Sequence, residues 1–209
     1  MKIINASVEP IGEFDAEKIM KHIERAGRVC YKSESRISDT SAEKFIANII
    51  KSGHESVIEH ISLTFKIICD RGVTHEIVRH RLASYSQESS RYCNYGSDKF
   101  GNELTFIKPC FWNEDDENYL LWKQTLEVAE KNYLAMIKNG ARPEQARSIL
   151  PNSLKTEIFM TANLREWRHF LKLRTSKRAH PQMREVALQI YKILNEKLPV
   201  IFSDIIVEE

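Results

Sequence analysis

Arg79, His80, Arg81 and Arg91, interleaved with Ser84, Ser86, Ser89 and Ser90, make the stretch from Arg79 to Tyr92 the part of this chain best equipped for chemistry. The run Arg-His-Arg-Leu-Ala-Ser-Tyr-Ser-Gln-Glu-Ser-Ser-Arg-Tyr shows neither the period of 2 of a half-buried strand nor the 3.6 of a helix face. A solvated face would balance its arginines with acids, and Glu88 is the only one here. Guanidinium forks beside hydroxyls are what a site uses to hold phosphate. An exposed basic loop is the plainer reading of the same composition.

Other residues invite other chemistries. His54-Glu55-Ser56-Val57-Ile58-Glu59-His60 sets two histidines and two carboxylates within one short segment, which suggests a metal. His75-Glu76 nearly opens a zinc-hydrolase motif, but the next histidine, His80, is five positions on, roughly 140° around a helix and off the face that paired ligands share. His60 reads better as a histidine flanking a strand. No GxGxxG, GxxxxGK or GxSxG pattern occurs, so neither a Rossmann site, a P-loop nor a serine hydrolase is offered. Ser89 has no activating base evident in the sequence and reads as a ligand rather than a nucleophile. Later in the chain, Glu144 and Arg147 share one side of a short helix. Trp167, Phe170, Leu171 and Arg174 follow helical spacing, so an arginine closes an apolar stripe, either snorkelling to solvent or pointing into a pocket. Arg165 and His169 form a second polar face of that helix.

The elements that must position these residues follow from periodicity. Met1 to Val8 reads as a short edge strand. Asp15 to Val29 reads as a helix on Ile19, Ile23 and Ala26. Thr40 to Glu43 fits a capping box, ahead of a stripe of Phe45, Ile46, Ile49 and Ile50 that Gly53 ends. Ile61 to Cys69 alternates as a half-buried strand. A short helix from Val73 to His80 would deliver the Arg-His-Arg triplet at its C-terminal end. After an irregular stretch with a strand at Leu104 to Ile107, a long helix spans Asp115 to Lys138, with Leu120, Leu121, Leu126, Ala129, Tyr133 and Ile137 inward. Pro143 opens a short helix to Leu150, Leu154 to Thr161 reads as a strand, Asn163 caps a helix to Arg174, and a last helix covers Pro181 to Leu198.

At 209 residues, with 42% hydrophobic and 29% charged residues, the chain has the make-up of one globular domain spanning 1–209. A net charge of +2 argues against bulk nucleic-acid binding but leaves room for a local anion site. Cys30, Cys69, Cys93 and Cys110 form no CxxC pair and read as reduced thiols of a cytoplasmic protein. No apolar run approaches a membrane span or a signal peptide.

Arg79-His80-Arg81, then seven residues, then Ser89, then Arg91 resembles the signature of flavin-dependent thymidylate synthases, and the likeness extends from about His54 to the last helix. The resemblance implies an α/β fold of α+β type, a mixed central sheet flanked by helices without a Rossmann domain, in a homotetramer with active sites at the subunit interfaces. It implies methyl transfer to dUMP giving dTMP, with methylenetetrahydrofolate as carbon donor and FAD, reduced by NADPH, as hydride source, and no covalent cysteine nucleophile. By position, Ser56, Arg79, His80, Arg81, Gln87, Asn163, Leu164, Arg165 and His169 would hold FAD, Ser56 from a neighbouring subunit. Glu76, Ile77, Val78, Arg79, Gln87, Glu88, Ser89, Ser90, Arg91, Arg147 and Arg174 would bind dUMP, with Arg174 the catalytic residue that activates the uracil. His54 and Tyr92 would face the folate and nicotinamide, and no metal takes part. Gln87 stands where relatives often carry Glu, His169 where Asn is common, and Arg178 where a flavin-contacting His can occur. The rival class is a nucleotide- or RNA-binding module using the same arginines, with Tyr85 and Tyr92 stacking on bases.

Overall fold

The computed structural model describes residues 1–208, a mixed α/β chain that divides into two compact units. One comprises Met1–Ser7, Ile67–Arg79 and Ser86–Ile158. The other comprises Val8–Lys66, His80–Tyr85 and the chain from Phe159 onward. Strands β1 (Lys2–Ile4) and β5 (Thr105–Ile107) pair in parallel, Lys2 opposite Thr105 and Ile4 opposite Ile107. A second sheet has the order β2-β3-β6-β4, from β2 (Ser7–Ile11), β3 (Ser62–Asp70), β4 (Ala83–Gln87) and β6 (Lys155–Asn163). The expected opening strand is therefore two strands in two sheets.

The first unit is organised by α4 (Glu117–Lys138), capped by Asp116, whose carboxylate accepts from the Asn118 amide at 2.8 Å. Its buried residues are Tyr119, Leu126 and Tyr133; Leu126 and Tyr133 pack with Tyr95, Leu104, Phe106 and Leu154, and Tyr119 meets the Trp122 ring at 5.2 Å. Leu120 and Leu121, expected inside, are 54% and 56% exposed. Leu126 and Tyr133 are inside as expected; the seam follows the i, i+7 row back from them to Tyr119, and Leu120 lies about 100° further round the helix. The amino terminus is held by Glu130 at 3.0 Å and Glu103 at 3.3 Å. Helix α3 (Arg71–Ile77) is capped by Asp70, which accepts from the Val73 amide at 2.7 Å. That cap starts the helix two residues earlier than expected. It ends at Ile77, so Arg79, His80 and Arg81 lie beyond it on the way into β4. Pro143 does open a short helix, α5 (Pro143–Ala146), which tightens into a 3-10 turn at Arg147–Ile149.

The second unit packs α1 (Ala16–Val29), α2 (Ser41–Lys51), α6 (Leu164–Arg174), α7 (Pro181–Lys197) and α8 (Pro199–Phe202). Ile23, Ile46, Ile58, Phe65, Trp167, Phe170, Leu171, Ile190 and Phe202 are fully buried. Trp167 meets Phe65 edge-on at 5.0 Å and donates its indole N–H to the Leu63 carbonyl at 3.1 Å. This satisfies the one polar group that its burial would otherwise strand. The capping box expected at Thr40 is not formed: Thr40 makes no side-chain cap bond, and Ser41 instead donates to Glu24 at 2.9 Å. Glu24 is buried and also accepts from Arg28 at 2.7 Å, so this contact ties the start of α2 to α1.

Gly27 of α1 sits where a Cβ would come within 2.6 Å of the Phe45 ring on α2 and 3.0 Å of Val57. Arg28 lies over that ring at 4.6 Å, which restrains it from moving away. Gly27→Ala gains about 1 kcal/mol of helix propensity but overpacks the crossing by about 1–3 kcal/mol. A midpoint of chemical denaturation equal to or lower than the parent's is expected, and a clear rise would mean that Phe45 swings aside freely.

Candidate active site

Helix α6 carries most of the titratable residues of one site. Asn163 ends β6 and caps α6, its side-chain oxygen accepting from the Glu166 amide at 2.8 Å. The cap fixes the first turn, so Arg165, Glu166 and His169 reach a cavity of about 710 Å³. Glu55, Glu59 and Glu166 supply its negative charge, Arg165, Lys172 and His169 its positive and titratable groups. Arg165 is bonded to Glu59 at 2.6 Å, an exposed pair. Leu82, next to the Arg-His-Arg triplet, also lines the cavity and is 75% exposed.

His80 is the centre of this arrangement. Its ring is buried, lying 4.9 Å from the Phe170 ring and 5.7 Å from that of His169. Nδ1 is 3.2 Å from Glu166 Oε1, and Nε2 accepts from Nε of Arg174 at 3.1 Å. Its carbonyl accepts from the Tyr85 hydroxyl at 2.5 Å. Burial raises the Glu166 carboxyl above its ordinary range, partly offset by His169. Burial, with Glu166 adding to it, pushes the Tyr85 phenol up to about 12, so Tyr85 stays a donor. Leu164 is buried and its amide is paired to the Ile61 carbonyl at 3.0 Å. His54 meets Tyr31 at 3.4 Å, and His54, Ser56 and Arg81 are exposed. One atom each from His80, Glu166 and His169 could serve a divalent ion, all within 4.8 Å of one another. The Arg174 guanidinium on the far side of the same ring opposes a second cation there.

In the other unit, the end of β4 and the turn after it gather a second group. Gln87 donates to Thr74 Oγ1 at 3.2 Å and Thr156 Oγ1 at 3.3 Å. Glu88 turns inward: one oxygen accepts from Tyr95 at 2.9 Å and the other from Lys155 at 3.0 Å. Both carboxylate oxygens thus serve to anchor the turn. Beyond them the chain coils, with the Ser89 carbonyl accepting from Tyr92 at 3.1 Å and from Cys93 at 2.9 Å. Arg147 donates to the buried Ser90 at 3.5 Å, and the Arg91 guanidinium lies 5.5 Å over the Tyr92 ring. Ile77 is fully buried, while Val78 and Arg79 are exposed. The serine-arginine segment therefore begins as a strand, Ala83, Tyr85 and Gln87 half-buried and Ser84 and Ser86 exposed. Its period of 2 is written in polar residues, which a search for apolar alternation passes over.

Sequence reasoning overlooked Glu166 and Lys155, and read Glu55 only as a carboxylate of a metal-like segment. A signal for Glu166 was present: an acid three residues after an asparagine cap, sharing the i, i+4, i+8 row with Phe170 and Arg174. Lys155 carries no such mark.

A family model described as thymidylate synthase complementing protein matches residues 15–200. The chain is 43% identical over 166 residues to a flavin-dependent thymidylate synthase of Pyrococcus furiosus, covering 79% of this chain and 66% of that one, a little under two thirds. It is 33% identical over 186 residues to a protein of the same description from Geobacter sulfurreducens, covering 86% and 78%. Its fold is similar to the crystal structure of a UMP/dUMP methylase, PolB, from Streptomyces cacaoi bound with 5-Br dUMP, with a TM-score of 0.78 and 26% identity over 97% of this chain and 96% of that one.

Proposed function

The chain belongs to the thymidylate synthase complementing protein family, and on that premise we propose that it methylates dUMP to dTMP as a flavin-dependent thymidylate synthase. Methylenetetrahydrofolate supplies the carbon and NADPH the reducing equivalents, which reach the substrate through FAD. The observation that carries this reading is α6. Its first turn brings Asn163, Arg165 and His169 to the cavity, and its last turn sets Arg174 against His80 of the Arg-His-Arg triplet.

The donor set suits a flavin dinucleotide. The N-terminal end of α6 would hold a pyrophosphate with Arg165, which would exchange its pairing with Glu59 for the phosphate, and the cavity volume lies in the range of ligand sites. Bound there, the flavin supplies the hydride transfer, which side chains cannot perform. Arg174 directs fixed positive charge at the pyrimidine edge where negative charge develops, raising the nucleophilicity of uracil C5. Ser89, Ser90, Arg91 and Arg147 hold the nucleotide's phosphate and sugar, and His54 and Tyr92 face the folate and nicotinamide. Ser56, Arg79 and Arg81 are exposed in the single chain, as residues that complete a site with a neighbouring copy must be. The assembly is a homotetramer with each flavin between subunits.

The test is the purified protein's absorption with and without dUMP, its size by light scattering, and dTMP formation under NADPH. Yellow tetramers whose flavin spectrum shifts on dUMP are expected. A colourless protein that neither takes up FAD nor forms dTMP overturns the proposal.

Carbon transfer proceeds without a cysteine nucleophile. None of the four cysteines is in a disulfide, and Cys69 is fully buried and Cys93 partly so. Burial raises both thiols, with Asp70 adding to the effect at Cys69 and Glu88 at Cys93, opposite to what a thiolate nucleophile needs. Replacing each cysteine with Ala is expected to leave turnover within about tenfold, any loss being one of packing. An inactive Cys93→Ala protein that still folds and binds FAD would restore a covalent route.

A further inference from the structure

We infer that Glu166 and His80 are positioning residues that act in series on Arg174: Glu166 fixes the tautomer of His80, and His80 fixes the plane of the Arg174 guanidinium. This rests on the reading of Arg174 as the residue that meets the pyrimidine.

The three groups lie on one row. Glu166 and Arg174 are eight residues apart on α6, about 12 Å along its axis. His80, from the segment between α3 and β4, bridges that gap with its two ring nitrogens. The hydrogen-bond inventory leaves one assignment. Arginine Nε carries a proton and cannot accept, so Nε2 of His80 must offer its lone pair at 3.1 Å. A neutral imidazole then carries its proton on Nδ1, and that N–H donates to Glu166 Oε1 at 3.2 Å. The opposite tautomer would set N–H against N–H at Arg174. A doubly protonated ring would add a cation to the guanidinium.

The surroundings hold the ring in this position. His80 and Glu166 side chains are 3% and 6% exposed. The Phe170 and His169 rings flank the imidazole, and the Tyr85 hydroxyl pins its backbone carbonyl. Asn163 in turn holds the Glu166 backbone. A second hydrogen bond to a ligand ring nitrogen selects tautomers in the same way at metal sites, where the imidazole serves a cation on its other side. Here that cation is a guanidinium. Because Nε is committed to His80, the plane holding the terminal nitrogens of Arg174 is set before any substrate arrives, which is the preorganisation electrostatic stabilisation requires.

The tautomer is read first, in the unmutated protein without substrate, by long-range ¹H–¹⁵N correlation on ¹⁵N-histidine-labelled protein, with His80→Gln identifying the signal. A neutral ring protonated on Nδ1 is expected. An Nε2-protonated or doubly protonated ring at neutral pH overturns the inference with no further variant needed. Glu166→Leu is expected to mix the tautomers and to slow anaerobic reoxidation of reduced flavin by dUMP and methylenetetrahydrofolate about 10- to 100-fold, with dUMP affinity little changed. Glu166→Gln, whose amide oxygen still accepts from Nδ1, should restore the rate to within about fivefold of the parent. The double-mutant cycle separates the two readings. In an Arg174→Ala background, Glu166→Leu should add almost nothing. Full additivity overturns the positioning role, whereas an Arg174→Ala protein that reoxidises normally overturns the reading of Arg174 itself.

Discussion

Arg174→Ala is expected to cut dTMP formation about 10²- to 10³-fold, roughly 3–4 kcal/mol of transition-state stabilisation, as the loss of a preorganised donor does. Flavin content and reduction by NADPH should largely survive, because neither step needs charge on the pyrimidine. Arg174→Lys should rescue poorly. An ammonium places a point charge near the same spot, but it lacks the planar fork that His80 orients through Nε. The measurement reduces bound flavin with NADPH and then follows reoxidation by dUMP and methylenetetrahydrofolate without oxygen. A normal rate in Arg174→Ala would leave the residue as a helix-end charge that extends the apolar stripe of α6 and nothing more.

The largest effect on stability should come from Arg168, six residues before Arg174 on the same helix. Its side chain is 2% exposed, bonded through Nε to Glu55 at 3.1 Å and through both terminal nitrogens to Asp204 at 2.6 and 2.7 Å, and it also donates to the Ile201 carbonyl. Arg168→Met keeps much of the volume but strands the Ile201 carbonyl and leaves a partly buried Glu55 with Lys172 alone, 3.6 Å away. Breaking a buried pair from one side costs about 3–5 kcal/mol. Asp204 is half exposed and rehydrates, so the lower end, about 3 kcal/mol, is expected. That corresponds to a fall in melting temperature of about 6–12 °C for a chain of this size. The hydrogen bond from Arg168, opposed by burial and helped by its charge, holds the Asp204 carboxyl below its ordinary 3.8. A depressed carboxylate contributes stability that is complete above its unfolded value and lost as pH falls through the folded one. The parent should therefore lose stability below about pH 4 partly through this pair, and Arg168→Met should flatten that acid limb. Unchanged melting at neutral pH would show that the pair's attraction only matches its desolvation.

Much of this was legible in the residues themselves. The limits of α6 were, because an asparagine cap and an unbroken apolar stripe point to the same boundaries, and local and tertiary preferences agree. The alternation of β3 was, through Leu63, Phe65 and Ile67. What escaped was decided by pairing. β4 is built largely of serines, a tyrosine and a glutamine, whose extended form is dictated by its place beside β6 and not by hydrophobicity. The first turn of α4 differs from the expectation, because Tyr119 rather than Leu120 or Leu121 takes the buried row of Leu126 and Tyr133. In the candidate site, the likeness of motif named the arginines and serines, but it is silent on groups that act behind them. That Glu88 spends both oxygens on Tyr95 and Lys155, or that Glu166 reaches His80 across 86 positions of sequence, is a property of tertiary packing alone.

The chain passes between its two compact units inside β2, inside β3, beside His80, within β4 and within β6, so each unit is assembled from three separated stretches. Neither is a contiguous reading frame. A gene fragment, a crossover or a circularly permuted half would carry pieces of both and the whole of neither. Such a protein cannot grow by trading modules. Novelty must enter as point substitutions, or as insertions at the turns around Gly101 and Gly140, where positive φ marks short reversals between elements.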